Sequence, residues 1–239
     1  CLTANVTAAM ARHGLDVVHP FALGWYNDNV EPAIAARLPG ASSPPPANTL
    51  ALLVGNTSAL WPALVEHYAA RPGPLPADPV DSYVGASVEA ALASCDVTRY
   101  HVFHSHETSP GRLLSFSRMA SFSGLAHLDT ECHLCFHPTH GPWLALRSLV
   151  VLPGLTFEPS SPPPLPLPSP LTPASAAAVR AAVASALDGG GPREWIAVRD
   201  TAAPGHPARY GDEQLEYHYT KGDVLRRAVE AARASRAEG

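Results

Sequence analysis

Charge is scarce in this chain. Asp, Glu, Lys and Arg make up 15% of its 239 residues, the net charge is −5, and no basic block occurs. It therefore lacks the lysine- and arginine-rich stripe that tracks a phosphate backbone, and no nucleic-acid partner is expected. Long hydrophobic runs are missing too. None reaches the ~20 residues that a membrane helix requires, so no membrane partner is expected either. Cysteine is sparse, with Cys1, Cys95, Cys132 and Cys135 as the full set. That is too few for a disulfide scaffold of this size and points to a reducing, cytoplasmic compartment. The signatures Gly-x-Gly-x-x-Gly, the P-loop and Gly-x-Ser-x-Gly are all lacking. The first residue is Cys1 rather than Met, which reads as a fragment or a processed product, so N-terminal targeting is not assessable.

What the chain does have is proline, 26 residues of it, and an ordinary hydrophobic content of 46%. Length and content suit one principal domain spanning 1–239. Leu2–His13 reads as a helix closed by Gly14. Val17–Asn27 is apolar and aromatic, and Ala41–Ala47 is a loop. Thr49–Val54 is a short buried strand. A helix starting at Ser58 places Leu60, Leu64, Val65 and Tyr68 at helical spacing. Asp78-Pro79 opens another, with Val80, Val84, Val88, Ala91 and Leu92 on its buried face. Val97–His106 reads as a strand, Leu113–Leu128 as a helix, and Glu158–Pro173 as a proline-rich surface loop. Ala174–Leu187 is a helix ended by three glycines, Glu194–Val198 a strand, and Lys221–Arg236 a C-terminal helix. Short antiparallel strands mixed with helices make the class α+β.

Cys132–Gly154 organises the rest. Cys132–His137 and Trp143–Leu152 read as two strands of a hairpin around Pro138–Pro142. Side chains alternate along a strand, which places Trp143, Ala145, Arg147, Leu149 and Val151 on one face. Leu144, Leu146, Ser148, Val150 and Leu152 take the other. Only Arg147 of these ten is charged, and a guanidinium in a central strand needs an anion. A structural ion pair with a carboxylate and an external anion both satisfy that need, and the residues alone leave the two open.

Other constellations are weaker. Cys132 and Cys135, with His133 and His137 nearby, have the spacing of a zinc pair. An odd offset along a strand sends their thiols to opposite faces, and no second pair completes a tetrahedron. Among His101, His104 and His106, the last two share a face. Arg226-Arg227 and Arg233/Arg236 suit a solvated helix face, while Arg199, close to Trp195, suits either a structural or an anion-binding role.

Several motifs together resemble the CblC-type cobalamin-processing proteins. They are Trp25-Tyr26-Asn27, Thr49–Val54, Asp78–Asp81, the stretch from His137-Pro138 through Gly141, Trp143 and Arg147 to Leu152-Pro-Gly154, Glu194-Trp195, Arg199-Asp200, and Arg209-Tyr210 with Glu213-Gln214. They recur in the family's order between about Trp25 and Arg227. The resemblance implies a flavin-nitroreductase-like scaffold with a central, mostly antiparallel sheet flanked by helices. It implies an enzyme and chaperone that binds cobalamin base-off. Its upper ligand would leave by reductive decyanation, with electrons from FAD or FMN or a flavin reductase partner, or by glutathione-dependent dealkylation. A downstream cobalamin-delivery protein would receive the product.

By motif match, Arg147, Arg199 and Arg226 (or Arg227, one residue on) would bind glutathione. Cys135, Leu146, Leu114, Ser115, Phe116, Ser117, Leu128, Asp129 and Thr130 would contact cobalamin. The last three replace an aromatic-rich run of the family, Ser121 replaces a histidine, and Gly141-Pro142 replaces Gly-Gly. No protein side chain is expected to act as acid, base, nucleophile or metal ligand. Two alternatives share these features: a nitroreductase-like flavin enzyme with another substrate, and a non-catalytic cobalamin carrier.

Overall fold

The computed structural model describes residues 2–40, 43–158 and 164–237. Its centre is a four-stranded sheet whose order across is β1 (Val17–Ala22), β2 (Thr49–Asn56), β6 (Ala145–Thr156) and β3 (His101–His104), every neighbouring pair antiparallel. The two middle strands are the apolar runs of the sequence. Every residue of β2 is buried. Pro20, which has no N–H to give a ladder, sits on the edge strand β1.

Both faces of the sheet are covered. Leu52, Val54, Val150 and Leu152 pack against α1 (Leu2–Ala11), α3 (Leu60–Ala69), α4 (Pro79–Ala93) and α9 (Val224–Ala237) through Met10, Leu64, Val88 and Val229. On the other face Ala51, Leu53, Leu149 and Val151 meet Phe21, Tyr26, Phe103 and the Met119 of α5 (Phe116–Phe122). Each fully buried Leu or Val is worth ~1.5–3 kcal/mol over an exposed one, so these two strands anchor the fold. A smaller cluster joins Cys132 and Phe136 to Val179 and Val183 of α6 (Pro173–Leu187) and Val198 of α7 (Pro192–Ala202). Trp143 packs with Tyr210 and with Leu215 of α8 (Asp212–Thr220).

The expected hairpin does not form. His137 and Gly141 exchange backbone hydrogen bonds of 2.8 and 2.9 Å around the turn, but the flanking strands then part. β5 (Leu134–Phe136) pairs with β4 (His127–Asp129) in a separate two-stranded sheet. A strand has two edges, and β2 and β3 occupy both edges of β6.

The face assignment changes at Arg147. Val54 pairs with Ser148 but Gly55 pairs with Leu146, leaving Arg147 as the extra residue of a bulge. A bulge reverses the alternation on one side of itself. Leu146 therefore joins Leu149 and Val151, and Arg147 turns to the opposite face. Gly55 is what allows this, because a Cβ there would lie 2.7 Å from the Ala145 carbonyl oxygen.

Three further expectations are corrected. Leu113–Leu128 is helical only over Phe116–Phe122, and its end is strand β4. Val97–His106 is strand only over His101–His104. Glu194–Val198 is the middle of helix α7, with Pro192 in its first turn and Glu194 Oε2 accepting from the Gly191 N–H at 2.7 Å. Its Trp195, Val198 and Ala202 share the helical spacing that the strand reading passed over.

The C-terminal helix begins at Val224, because Lys221 ends α8 in the left-handed conformation, with φ +58. The helices at Asp78-Pro79 and after Thr172 form as expected. In the proline-rich loop, 159–163 lie outside the described residues, as do 41–42 of the loop before β2. From Pro164 onward the proline-rich chain runs beside Gly124, and the Leu167 carbonyl accepts from His127 Nδ1 at 2.8 Å.

Candidate active site

Arg147 sits where the end of the central sheet meets α3, α4 and α8. Its Nε donates to Asn56 Oδ1 at 2.7 Å, and Asn56 is held in turn by its Nδ2 bond to the Thr57 carbonyl. Among the described residues no carboxylate oxygen lies within 4.0 Å of the guanidinium, so the structural ion pair is not there. Burial lowers the pKa of Arg147, and Tyr210, Asp81 and Tyr217 partly offset this. A guanidinium stays charged even so. It lines a cavity of about 20 Å³ with Leu60, Gln214, His218 and Lys221. That cavity shares Val80, Tyr217 and Lys221 with an outer one of about 310 Å³, which Asp78, Asp81 and Arg226 also line.

Positive charge accumulates here. Burial, reinforced by Arg199, Arg147 and Lys221, pushes His218 down to about 3, so this imidazole is neutral at ordinary pH. Arg199 reaches the region from α7, with its guanidinium carbon 5.6 Å from the Trp143 ring centre and 6.0 Å from that of Tyr219. Among the described residues, the buried side-chain polar atoms without a hydrogen-bond partner are Trp143 Nε1, Arg199 Nη1 and Tyr210 OH. All three belong to one neighbourhood, since the Trp143 and Tyr210 rings lie 5.6 Å apart. An indole and a guanidinium only donate, while the Tyr210 hydroxyl can donate or accept, so donors outnumber acceptors in this corner.

Arg226 stands at the rim of the outer cavity, exposed, and is held by Asp223 at 2.9 Å and Glu230 at 3.0 Å. Arg227 is bound by Glu216 and Asp223 and lines neither cavity. Of the two neighbours, Arg226 is the one with access to the site. Arg233 has a structural role, donating to the carbonyls of Tyr68, Arg71 and Gly73 at the end of α3.

The second set of residues gathers on the opposite side of the sheet. Leu114 and Phe116 are buried beside Leu149, with Leu146 and Cys135 packed against them. The Ser115 N–H donates to Tyr26 OH at 2.9 Å, and Cys135 Sγ donates to the Ser117 carbonyl at 3.8 Å. Leu128 is the cross-strand partner of Cys135. Asp129 caps the following turn, its Oδ1 accepting from the N–H groups of Glu131 and Cys132 at 3.0 Å, while Thr130 is exposed. The bulge thus sends Leu146 to the apolar side and its neighbour Arg147 to the cationic side.

The other constellations resolve structurally. Cys132 and Cys135 belong to different clusters, and among the described residues no group of three metal-ligating side chains comes together. Burial raises both thiols to about 11. His104 stacks on His106 at 5.3 Å and meets Ser148 Oγ at 2.9 Å. Several recurring motif residues hold the frame. Asn27 brackets the backbone of Ala36, Tyr26 OH donates to the Ile34 carbonyl, and Asp200 pairs with Arg209 at 2.8 Å.

No family model matches the chain. Individual relatives do. It is 31% identical over 225 residues to the cyanocobalamin reductase / alkylcobalamin dealkylase of Bos taurus, an alignment covering 85% of this chain and 72% of the relative. The chain belongs to the cyanocobalamin reductase / alkylcobalamin dealkylase family. The Homo sapiens member is 29% identical over 221 residues, with the same coverage. In fold this family member matches the solved B12-trafficking protein CblC of C. elegans, with a TM-score of 0.71 over 96% of each chain at 18% identity.

Sequence reasoning named Arg147 and Arg199 as candidates, quoted Tyr210 only as a motif residue, and gave no site role to Lys221 or His218. One signal was available for Lys221, a long cationic side chain directly before Gly222, where a helix stop ordinarily puts the glycine itself.

Proposed function

We propose that this protein processes cobalamin as an enzyme and chaperone, removing the upper ligand of base-off cobalamin either reductively or by transfer to glutathione. The observation that carries this reading is the pair of arginines, Arg147 and Arg199, which come from distant parts of the chain to act on the same His218 and have no carboxylate oxygen within 4.0 Å among the described residues. Cations left uncompensated inside a protein are costly unless a ligand completes them. A tripeptide with two carboxylates is such a ligand, and the planar fork of arginine grips a carboxylate through two parallel bonds. Arg226 at the rim completes the set that the family resemblance implies. The family membership supports the cobalamin half of the reading.

On this reading cobalamin lies against the apolar side, with Leu114, Ser115, Phe116, Ser117, Leu128, Cys135 and Leu146 as contacts and Asp129 and Thr130 at the margin. Dealkylation requires the two ligands to meet at the end of the sheet, where Arg199 is near enough to act on both Cys135 and Arg147. The glutathione thiolate attacks the carbon bound to cobalt, a thioether forms, and the bonding pair stays on the metal, taking Co(III) to Co(I). In decyanation an electron added to Co(III) weakens the bond and cyanide departs with its own pair. The protein positions both partners and excludes water, while the corrin carries the bond chemistry.

The family resemblance suggests a nitroreductase-like scaffold and FAD or FMN as the electron source. The same resemblance suggests a downstream delivery protein that receives the product.

The test is the visible spectrum of methylcobalamin with stoichiometric protein at neutral pH. A red-to-yellow, base-on to base-off change is expected, followed by formation of Co(I) and S-methylglutathione when glutathione is added. An unchanged base-on spectrum at saturating protein refutes the reading.

A further inference from the structure

Lys221 is a residue that the motif comparison never touched. It closes α8 with φ +58, a conformation that disfavours every side chain but which glycine adopts freely. Glycine is the very next residue, so the chain places a lysine in the strained position with the cheaper residue at hand. Strain of this kind persists where the side chain has a use. The Lys221 N–H bonds to the Tyr217 carbonyl, and its ammonium lies 5.2 Å from the Tyr217 ring centre. From there the side chain lines both the inner cavity of Arg147 and the outer cavity of Arg226.

Its partners are conspicuous by type. Among the described residues no carboxylate oxygen lies within 4.0 Å of Lys221, whereas Arg226, on the same rim, is held by Asp223 and Glu230. Burial and the Arg147 charge lower the Lys221 pKa, while Asp81 and Asp78 act against this from across the outer cavity. The remaining charged or titratable neighbours are His218 and Tyr217. Arg226 must leave two carboxylates to greet a ligand. Lys221 need leave none.

We propose that Lys221 is a ligand-holding cation of the thiol site, binding one carboxylate of glutathione where the two cavities join. This rests on the reading of the cationic cavity as the glutathione site. Lys221 is thus a specificity residue of this chain, beyond the arginines that the resemblance supplies. It donates to the carboxylate from the solvent side while Arg147 acts from the sheet side.

The experiment measures the glutathione concentration giving half-maximal dealkylation of bound methylcobalamin. Lys221→Met, which keeps the apolar stem, is expected to raise it roughly 5- to 20-fold, as expected for loss of one charge-assisted contact near the surface. Lys221→Arg restores it. Arg180→Gln, a remote cation paired with Glu131, leaves it unchanged. The penalty of Lys221→Met must also disappear with one of the two monoesters of glutathione, glycyl or γ-glutamyl, because that ester lacks the carboxylate in question.

An unaltered half-saturation in Lys221→Met, or a penalty that persists with both esters, overturns the proposal. Arg147→Gln tells the two levels apart. If it weakens glutathione and Lys221→Met does not, only the lysine assignment fails; if neither does, the cavity is not the thiol site. Each variant is first shown to take methylcobalamin base-off, so that a misfolded protein is not scored as a loss of thiol binding.

Discussion

Removing the charge of Arg147 should separate stability from activity. The guanidinium has one intramolecular partner, the neutral Asn56 amide, and no carboxylate among the described residues. In Arg147→Gln the new amide can still donate to Asn56 Oδ1. What the fold loses is the margin by which a charge-assisted hydrogen bond to Asn56 exceeds a neutral one, about 1–2 kcal/mol. What it gains is relief from holding an unpaired cation away from water, a cost of similar or larger size. The two nearly cancel, so the unfolding free energy should change by no more than about 1 kcal/mol in either direction. For a protein of this length that is ~2–4 °C in Tm. A true core ion pair would cost ~3–5 kcal/mol on losing one partner and shift the melt far more. Glutathione should respond quite differently. A charge-assisted contact of ~1.5–3 kcal/mol corresponds to roughly 10- to 150-fold in affinity. Differential scanning calorimetry and the glutathione dependence of methylcobalamin dealkylation, measured on the same preparation, make the comparison. Uptake of base-off cobalamin and reductive decyanation should survive. A variant that melts more than about 10 °C lower, or one that is well folded and dealkylates normally at subsaturating glutathione, refutes the reasoning.

Trp143 is fully buried against Tyr210 and Leu215, so Trp143→Ala should cost ~3–5 kcal/mol in chemical denaturation; near-native stability would contradict its place in the core. Gly55→Ala forces a Cβ to within 2.7 Å of the Ala145 carbonyl oxygen, so it should destabilise by ~1–3 kcal/mol and weaken glutathione as the bulge relaxes and Arg147 shifts. Cys132 and Cys135, both raised to about 11, should resist iodoacetamide at pH 7–8 and label readily only once the protein unfolds, which peptide mass mapping can follow. His218 and His137 are depressed to about 3 and about 4 by burial and neighbouring cations or imidazoles. The unfolded chain therefore binds more protons than the folded one below pH ~6.5, and stability should fall as pH drops from there through 4; in NMR titrations neither ring should protonate above pH ~5.

Local physics was enough for much of the frame. The apolar run of β2, the Asp78-Pro79 start of α4 and the small-residue helix before the triple glycine are each decided within a few residues, so they are legible without knowing the neighbours. The charge of Arg147 in an apolar strand was legible in the same way, as a need for an anion. What met that need was not. Whether a carboxylate waited across the interior depends on which helices pack over the strand, and Asn56 is what stands there. The side toward which Arg147 points was decided by a bulge set by Gly55 lying against Ala145, two residues ninety positions apart in the chain, so alternation counted along one strand gave the wrong face. The hairpin failed for a related reason. Turn chemistry is local, and the His137–Gly141 turn forms, but strand pairing is a competition for edges that β2 and β3 win. In α7, Trp195, Ile196 and Val198 suit a strand by type, and burial of Trp195, Val198 and Ala202 on one side makes a helix of them instead. Lys221 became visible only when α8 and the sheet brought it beside Arg147, because a cationic site is a sum of charges in space and sequence distance says nothing of that sum.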